Sequence, residues 1–260
     1  MVPDPDGDHG TAISSDFSLT NILPGVLVHE YQHMINFNQH YFENDSSAEE
    51  GWLNEGLSHL AEDIYYADSD DFMDGVGLEN PARISSYLSD ISDLCFTCGT
   101  DLAQRGGSYL FLRYLYDQAE LGNLSNVDDG KEMLQQLLDT DERGIDNVVD
   151  VVSGTSDTDA FKELLGRFAL AVYLDGTGYS DDSLSFTSLD LRSAQDDNRG
   201  TVLNGPAVQN VSSLPYNDSL EGNAITYLQI SGEDIIDAGG TIELDFGSGS
   251  DYGAYLIRNQ

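Results

Sequence analysis

The segment that most constrains this chain is VLVHEYQHMINF, residues 26–37, which carries His29, Glu30 and His33 in the pattern HExxH. On a helix, residues four apart lie on one face, so the two histidines present their imidazoles side by side. Two such nitrogen ligands suit one zinc ion, with Zn–N bonds of about 2.0–2.1 Å. Glu30, beside the first ligand, is placed to act as a general base toward water. The pattern therefore predicts a helix that carries part of a metal site.

This first helix is expected to run from about Asn21 to Asn38. Pro24 then falls in the first turn, where backbone N–H groups have no partner within the helix. An amphipathic helix buries one apolar stripe against the rest of the protein. The residues predicted for that stripe are Leu23, Leu27, Met34 and Phe37.

A catalytic zinc ion needs three protein ligands and one open position, so a third ligand has to be found. One common pattern places a glycine three residues, and a histidine six residues, after the second ligand. Those positions here hold Asn36 and Gln39, and His40 is one residue out of step. The other option is a glutamate on a following helix, and Glu55 in WLNEGLS lies 22 positions after His33.

HEYQHMINF followed by WLNEGLSHLAED resembles the gluzincin zinc metallopeptidases, most closely the hyicolysin-type metallopeptidases and their relatives. The later segments GGSYLFLRYLYDQ and FALAVYLDG are similar to helices that these relatives place after the motif. The resemblance covers about residues 21–192. It implies that His29, His33 and Glu55 bind Zn²⁺, that Glu30 is the general base, and that the chain hydrolyses peptide bonds.

The resemblance also implies a residue that stabilises the oxyanion of the transition state, since gluzincins often use a tyrosine or a histidine from a later helix for this role. The place where a tyrosine is expected holds Arg105, so Arg105, Tyr109 and His59 are all candidates. Tyr109 has the alternative interpretation of a core aromatic residue. His59, four residues after Glu55, is predicted either to support that ligand by a hydrogen bond or to pack nearby without metal contact. Asp63 either orients His59 or a ligand histidine, or lies on a solvated surface.

The remaining chain predicts more helices and then strands. Helices are expected at about residues 47–66 (or from 52), 80–91, 106–122, 129–139, 144–152 and 157–174. Beyond about residue 180, the segments LSFTSLDLR, AITYLQIS, TIELDFG and YGAYLIR alternate in polarity between turn residues. We therefore expect an α+β fold, with a mostly helical zincin-like catalytic domain over residues 1–180 and a β-rich region over residues 181–260.

The charge of the chain excludes two classes of partner. There are 47 acidic residues against 10 basic ones, which gives a formal net charge of −37. Nucleic acids and anionic membrane surfaces would be repelled by such a field. No apolar run reaches the 18 or more residues of a membrane span. The partner that the sequence predicts is a polypeptide substrate.

The same charge leads to a prediction about salt. Asp outnumbers Glu by 33 to 14, and there are only two lysines, which is typical of a salt-adapted, halophilic or marine protein, with ordinary extracellular acidity as the alternative. Because salt screens repulsion between surface charges, the melting temperature should rise as NaCl is added. Thermal unfolding followed across a NaCl series measures this, and a melting temperature that falls or stays flat would contradict salt adaptation.

Two small motifs remain. Asp4, Asp6 and Asp8 in DPDGD have a spacing of oxygen ligands similar to that of calcium-binding loops, but the closing glutamate is missing, and a solvated turn is the alternative. Cys95 and Cys98 form a CxxC pair without a second pair to complete a zinc site. We expect a local disulfide or two free thiols.

The N-terminus lacks the basic and apolar regions of a signal peptide. Because the metal motif begins only 28 residues into the chain, we expect a chain that is truncated at one or both ends. The family resemblance implies a secreted or cell-surface protein. Two other functions stay open, namely a zinc aminopeptidase and a non-catalytic surface binding module on a peptidase fold.

Overall fold

Helices dominate the computed structural model, which describes residues 4–10, 12–67, 79–195, 200–237, 241, 243–246 and 252–258. The helices are α1 (Ser15–Phe17), α2 (Leu23–Asn38), α3 (Gly51–Ala67), α4 (Asn80–Ser89), α5 (Leu102–Glu120), α6 (Gly130–Leu138), α7 (Gly144–Ser153), α8 (Asp159–Leu174) and α9 (Gly232–Asp237). π-Helical turns, Ser18–Ile22 and Gln39–Glu43, flank α2, and a 3-10 turn covers Asp182–Leu184. The strands β1 (Gln209–Val211) and β2 (Leu228–Ile230) form a small parallel sheet near the C-terminus.

The core is built around α5, which packs against α3 and α4. Gly106 permits the approach to α4, since a Cβ atom there would lie 2.1 Å from the carbonyl oxygen of Arg83. Gly56 does the same for α3, where a Cβ atom would lie 2.8 Å from a methyl group of Leu112. Burial of apolar side chains in such close packing is the main stabilising term of a domain. Fully buried members of this core include Leu53, Leu60, Ile84, Tyr87, Leu110, Phe111, Leu115 and Phe168.

Several predicted helices are confirmed, and the residues at which they begin can be compared with the predicted starts. The helix predicted from residue 47 or 52 begins at Gly51. The helix predicted over residues 80–91 begins at Asn80, whose side chain is buried and donates to Asp63 and to the carbonyl oxygen of His59. α5 is capped by Asp101 and Gln104 through a capping box, earlier than the glycine pair suggested.

The predicted buried stripe of α2 is wrong. Its four members are exposed, with relative accessibilities of 41% for Leu23, 59% for Leu27, 66% for Met34 and 47% for Phe37. α2 instead turns its small and polar face toward α3, where Gly25 and Asn36 are buried. Asn36 donates to the Asn54 side chain over 2.9 Å, and the apolar face lies on the opposite side of the helix.

The C-terminal region is less strand-rich than the alternation predicted. The segment AITYLQIS contains β2, but residues 184–192 and 252–258 are not in strands. In the TIELDFG segment, residues 242 and 247 lie outside the described residues. β1, which pairs with β2, was not predicted.

Two further findings concern the cysteine pair and the possibility of a membrane-spanning helix. Cys95 and Cys98 form a disulfide, which confirms the first of the two states expected for them. Among the described residues, no helix combines the length and the apolar character needed to cross a bilayer.

Candidate metal centre

The α2–α3 contact brings the three predicted metal ligands together. The Nε2 atoms of His29 and His33 lie 3.1 Å apart, and Glu55 Oε2 lies 3.5 Å from the first and 3.9 Å from the second. Ligand atoms around a tetrahedral metal with bonds near 2.1 Å are separated by about 3.4 Å. The three atoms therefore have spacings close to those of a metal site, here called the outer position.

Glu55 gives the clearest indication that a cation fits the outer position. Its Oε2 atom is buried and accepts no hydrogen bond from the described residues. A buried carboxylate oxygen without a partner is unfavourable unless a positive charge compensates it. Because Oε2 faces the imidazole nitrogens of His29 and His33, a metal ion between the three atoms would remove that deficit.

Arg105 contacts the other oxygen of the same carboxylate. Its Nη2 lies 3.1 Å from Glu55 Oε1, and its Nε donates to the carbonyl oxygen of Thr100 over 2.7 Å. This pairing holds Oε1 and leaves Oε2 to face the histidines. Burial raises the pKa of Glu55, but the His29 imidazole, 3.5 Å from Oε2, and the Arg105 charge outweigh it and place the pKa below its ordinary value.

Glu62 is a site residue that the sequence analysis missed. Its Oε1 atom accepts from His29 Nδ1 over 2.7 Å and from His59 Nδ1 over 3.0 Å. Glu62 lies seven residues after Glu55, two turns along the same face of α3, so helix periodicity places it near Glu55 but does not identify its contact with His29 on α2. With Nδ1–H donated to Glu62, the Nε2 atom of His29 carries the lone pair that a metal ligand needs.

His59 and Ser58 complete the surroundings of the histidines. His59 is buried, and its Nε2 atom lies 4.0 Å from Glu55 Oε2, a contact too long for the predicted hydrogen bond. His33 Nδ1 lies 3.1 Å from the hydroxyl of Ser58, which can accept its proton and so direct His33 Nε2 toward the outer position. Ser58, like Glu62, was missed because its partner is on another helix.

Glu30 and Tyr109 lie outside this hydrogen-bonded cluster. Glu30 follows His29 in α2, and its side chain is exposed. Tyr109 is fully buried and its hydroxyl donates to Asp63, which also accepts from Asn80. Tyr109 is thus a core aromatic residue, the alternative interpretation of the sequence, and Asp63 is buried rather than solvated.

A second set of ligand atoms lies on the other side of the His29 ring. The side chains of His29, His59 and Glu62 form a group whose ligand atoms lie close enough together to hold a metal ion, here called the inner position. In the described residues, such groups occur at the outer and inner positions, and both include His29. The Asp4–Asp8 loop is not such a group. Asp4 accepts from the backbone N–H of Asp8 and of His9, as in a capped turn, and calcium binding there stays a prediction.

The comparisons with known proteins do not assign the chain to a family. No protein-family model matches it, and a search of curated proteins finds no match. The gluzincin resemblance therefore stays a prediction that rests on the motif and its spacing.

The ionisation of His29 makes metal binding pH-dependent. Burial lowers the pKa of His29, but the nearby carboxylates of Glu55 and Glu62 outweigh it and raise the pKa to about 9. In the metal-free protein His29 is then protonated at pH 7, and a metal ion has to displace one proton. We predict that the zinc affinity rises about tenfold per pH unit between pH 7 and pH 9 and then levels off. Calorimetric titration across this range measures it, and a flat affinity would contradict it.

Replacement of Glu62 tests its role at His29. Glu62→Gln removes the negative charge that fixes the Nδ1–H tautomer, so zinc affinity should fall about 10- to 100-fold. Glu163→Gln, an exposed glutamate on α8, is the matched control and should bind zinc as the wild type does. Equal affinities for the two variants in a competition with a chromophoric chelator would show that Glu62 does not support the metal site.

Proposed function

We propose that this chain is a zinc-dependent metallopeptidase that hydrolyses internal peptide bonds of polypeptides, on a gluzincin-type catalytic domain. The observation that carries the proposal is the outer position, where His29, His33 and Glu55 place three ligand atoms within 4 Å of one another. The unpartnered Oε2 atom of Glu55 supports it independently of the motif. The finer domain division, a catalytic domain over residues 1–180 and a β-rich region over residues 181–260, belongs to this proposal.

The residues around the outer position have separate roles in such a reaction. When bound there, zinc supplies Lewis acidity toward the scissile carbonyl and lowers the pKa of water. Glu30, exposed beside His29, takes the proton of the attacking water and returns it to the leaving amine. Glu62 and Ser58 orient the two imidazoles.

Arg105 is our candidate for stabilising negative charge in the transition state. Of the three residues considered for this role, Tyr109 is buried with its hydroxyl donated to Asp63, and His59 is buried behind Glu55. Arg105 keeps 30% of its side chain exposed and places its guanidinium 3.1 Å from Glu55. A fixed positive charge beside the reacting carbonyl would stabilise an oxyanion.

The surface near Glu30 favours a polypeptide substrate. Val26 and Met34, one turn before and after Glu30 on α2, are exposed, as is Leu27. Contiguous exposed apolar patches on a protein surface often mark binding sites. Secretion or display at the cell surface, and a salt-adapted environment, are the location and conditions that we propose with this function.

An assay with two classes of substrate tests the proposal. The zinc-loaded protein is incubated with casein and with aminoacyl-anilides, at low and at high NaCl. An endopeptidase cleaves casein into internal fragments. Cleavage of the anilides alone would identify an aminopeptidase instead, and no cleavage of either by a protein that holds one equivalent of zinc would favour a non-catalytic binding module.

A further inference from the structure

One face of α2 and of its two flanking π-helical turns is apolar and exposed; it is called here the α2 face. Its large apolar side chains are between 40% and 66% exposed. They are Leu19, Leu23, Val26, Leu27, Tyr31, Met34, Phe37, Tyr41 and Phe42. Along α2 they recur every three or four residues, which is the spacing of the buried stripe of an amphipathic helix. The face that α2 turns toward α3 is the small and polar one, so this stripe is left uncovered.

The α2 face is also depleted of charge. With 47 acidic residues in 260, an even distribution would put about five of them in residues 17–42. That stretch contains Glu30 and no other Asp, Glu, Lys or Arg. Few charged residues, together with methionine and aromatic side chains, are the composition of the buried core of a protein–protein interface. The α2 face therefore has the composition of an interface.

Three of the exposed rings already pack on one another. Phe37 and Tyr41 stack with their ring centroids 5.2 Å apart. Phe42 meets these two rings edge-on, at 5.8 Å and 5.2 Å. Such contacts favour one arrangement of the rings before any partner arrives. Aromatic side chains that are ordered in advance lose less conformational entropy when they become anchors of an interface.

The area and the shape of the α2 face favour a second copy of this chain as its occupant. Its side chains leave on the order of 800 Å² accessible, which is about what each partner contributes to a stable interface of standard size. The face follows the outside of a 16-residue helix, about 24 Å long, and is therefore a convex ridge. A convex ridge of this kind packs against another helix, and the α2 face of a second copy has the same length and apolar character.

We propose that the α2 face is the interface of a two-fold symmetric homodimer. In such a contact, if residue i of one copy meets residue j of the other, then j also meets i. An antiparallel contact with the symmetry axis near residue 32 places Leu27 against Phe37 of the second copy. Glu30 then faces Met34 of the second copy, so the two Glu30 carboxylates are kept apart.

The dimer has two consequences. Each copy carries a formal net charge of −37, so repulsion opposes association at low salt, and added NaCl should strengthen it. The second copy also covers Val26, Leu27 and Met34, near which a polypeptide substrate is proposed to bind. Competition between dimer and substrate rests on the proposed function, whereas the association itself does not.

Sedimentation equilibrium over a range of protein concentrations tests the inference. In about 1 M NaCl, where the Debye length is about 3 Å, the wild-type mass should rise from one chain to two and then level off. Leu27→Glu/Met34→Glu places four carboxylates in the contact and should weaken association at least about 100-fold. Leu102→Glu/Ile236→Glu, at exposed apolar positions outside the α2 face, is the matched control and should associate as the wild type does.

The outcomes separate this inference from the proposed function. A wild-type mass of one chain throughout, growth beyond two chains, or equal association of the two double variants would overturn the dimer. A monomeric wild type whose casein hydrolysis falls in Leu27→Glu/Met34→Glu would assign the face to substrate instead. Dimerisation of a protein that hydrolyses nothing would support the interface and contradict only the proposed function. Should Leu27→Glu/Met34→Glu fail to fold, Phe37→Ser/Tyr41→Ser provides the same comparison.

Discussion

Replacing Glu30 with glutamine should reduce the rate of peptide hydrolysis by about 10³-fold or more while leaving one equivalent of zinc bound. General-base catalysis contributes about 10² to 10⁴ in rate, and the amide of glutamine cannot accept the proton of the attacking water. Glu30 belongs to neither group of ligand atoms, so the metal site should be unchanged. The measurement is kcat/KM on casein-derived peptides together with zinc content.

Glu43→Gln is the control for this variant. Glu43 is an exposed glutamate in the π-helical turn after α2, so the change in charge is the same and the position is remote from the ligands. Its activity should equal that of the wild type. Activity of Glu30→Gln within tenfold of wild type, with zinc retained, would show that Glu30 is not the base.

Replacing Asp63 with alanine should produce the largest loss of stability among the polar residues near the site. Asp63 accepts hydrogen bonds from Tyr109 and from Asn80, and all three residues are buried. Each donor left without a partner costs about 1–3 kcal/mol, so the free energy of unfolding should fall by about 3 kcal/mol. Denaturant unfolding of the metal-free protein measures this loss.

The exposed Asp93 provides the comparison, since Asp93→Ala should change the free energy of unfolding by less than about 0.5 kcal/mol. A similarly small effect of Asp63→Ala would mean that the Tyr109–Asp63–Asn80 contacts do not stabilise the fold. If Asp63→Ala lowers the free energy of unfolding as expected, the variant should also bind zinc more weakly, because Asn80 donates to the backbone carbonyl of His59 beside the metal site.

The sequence was sufficient for the pair His29 and His33, because they lie one helical turn apart on α2. Glu55, on the next long helix, was expected beside them from the resemblance and not from helix geometry, and the structure brings the three side chains together. Ser58 and Glu62 could not be assigned in the same way. Their roles depend on how α3 is rotated against α2, which follows from packing between the two helices rather than from the pattern of either.

The wrong predictions have a common physical cause. The apolar pattern of α2 shows which face is hydrophobic but not whether another element covers it, and here Leu27 and Met34 are exposed. Alternation in the C-terminal region likewise shows which side chains can share a face of a strand. A segment forms a strand only where a neighbouring strand lies beside it in register. Among the described residues, β1 and β2 form such a pair.

Zinc-dependent cleavage of casein by the wild-type chain tests the central claim most directly. The protein is freed of metal with a chelator, dialysed, and assayed before and after one equivalent of Zn²⁺ is added, with zinc content measured in each sample. The account predicts no hydrolysis by the metal-free protein and full hydrolysis after zinc is restored. Hydrolysis that persists in the metal-free protein, or none in the protein that holds its zinc, would contradict it.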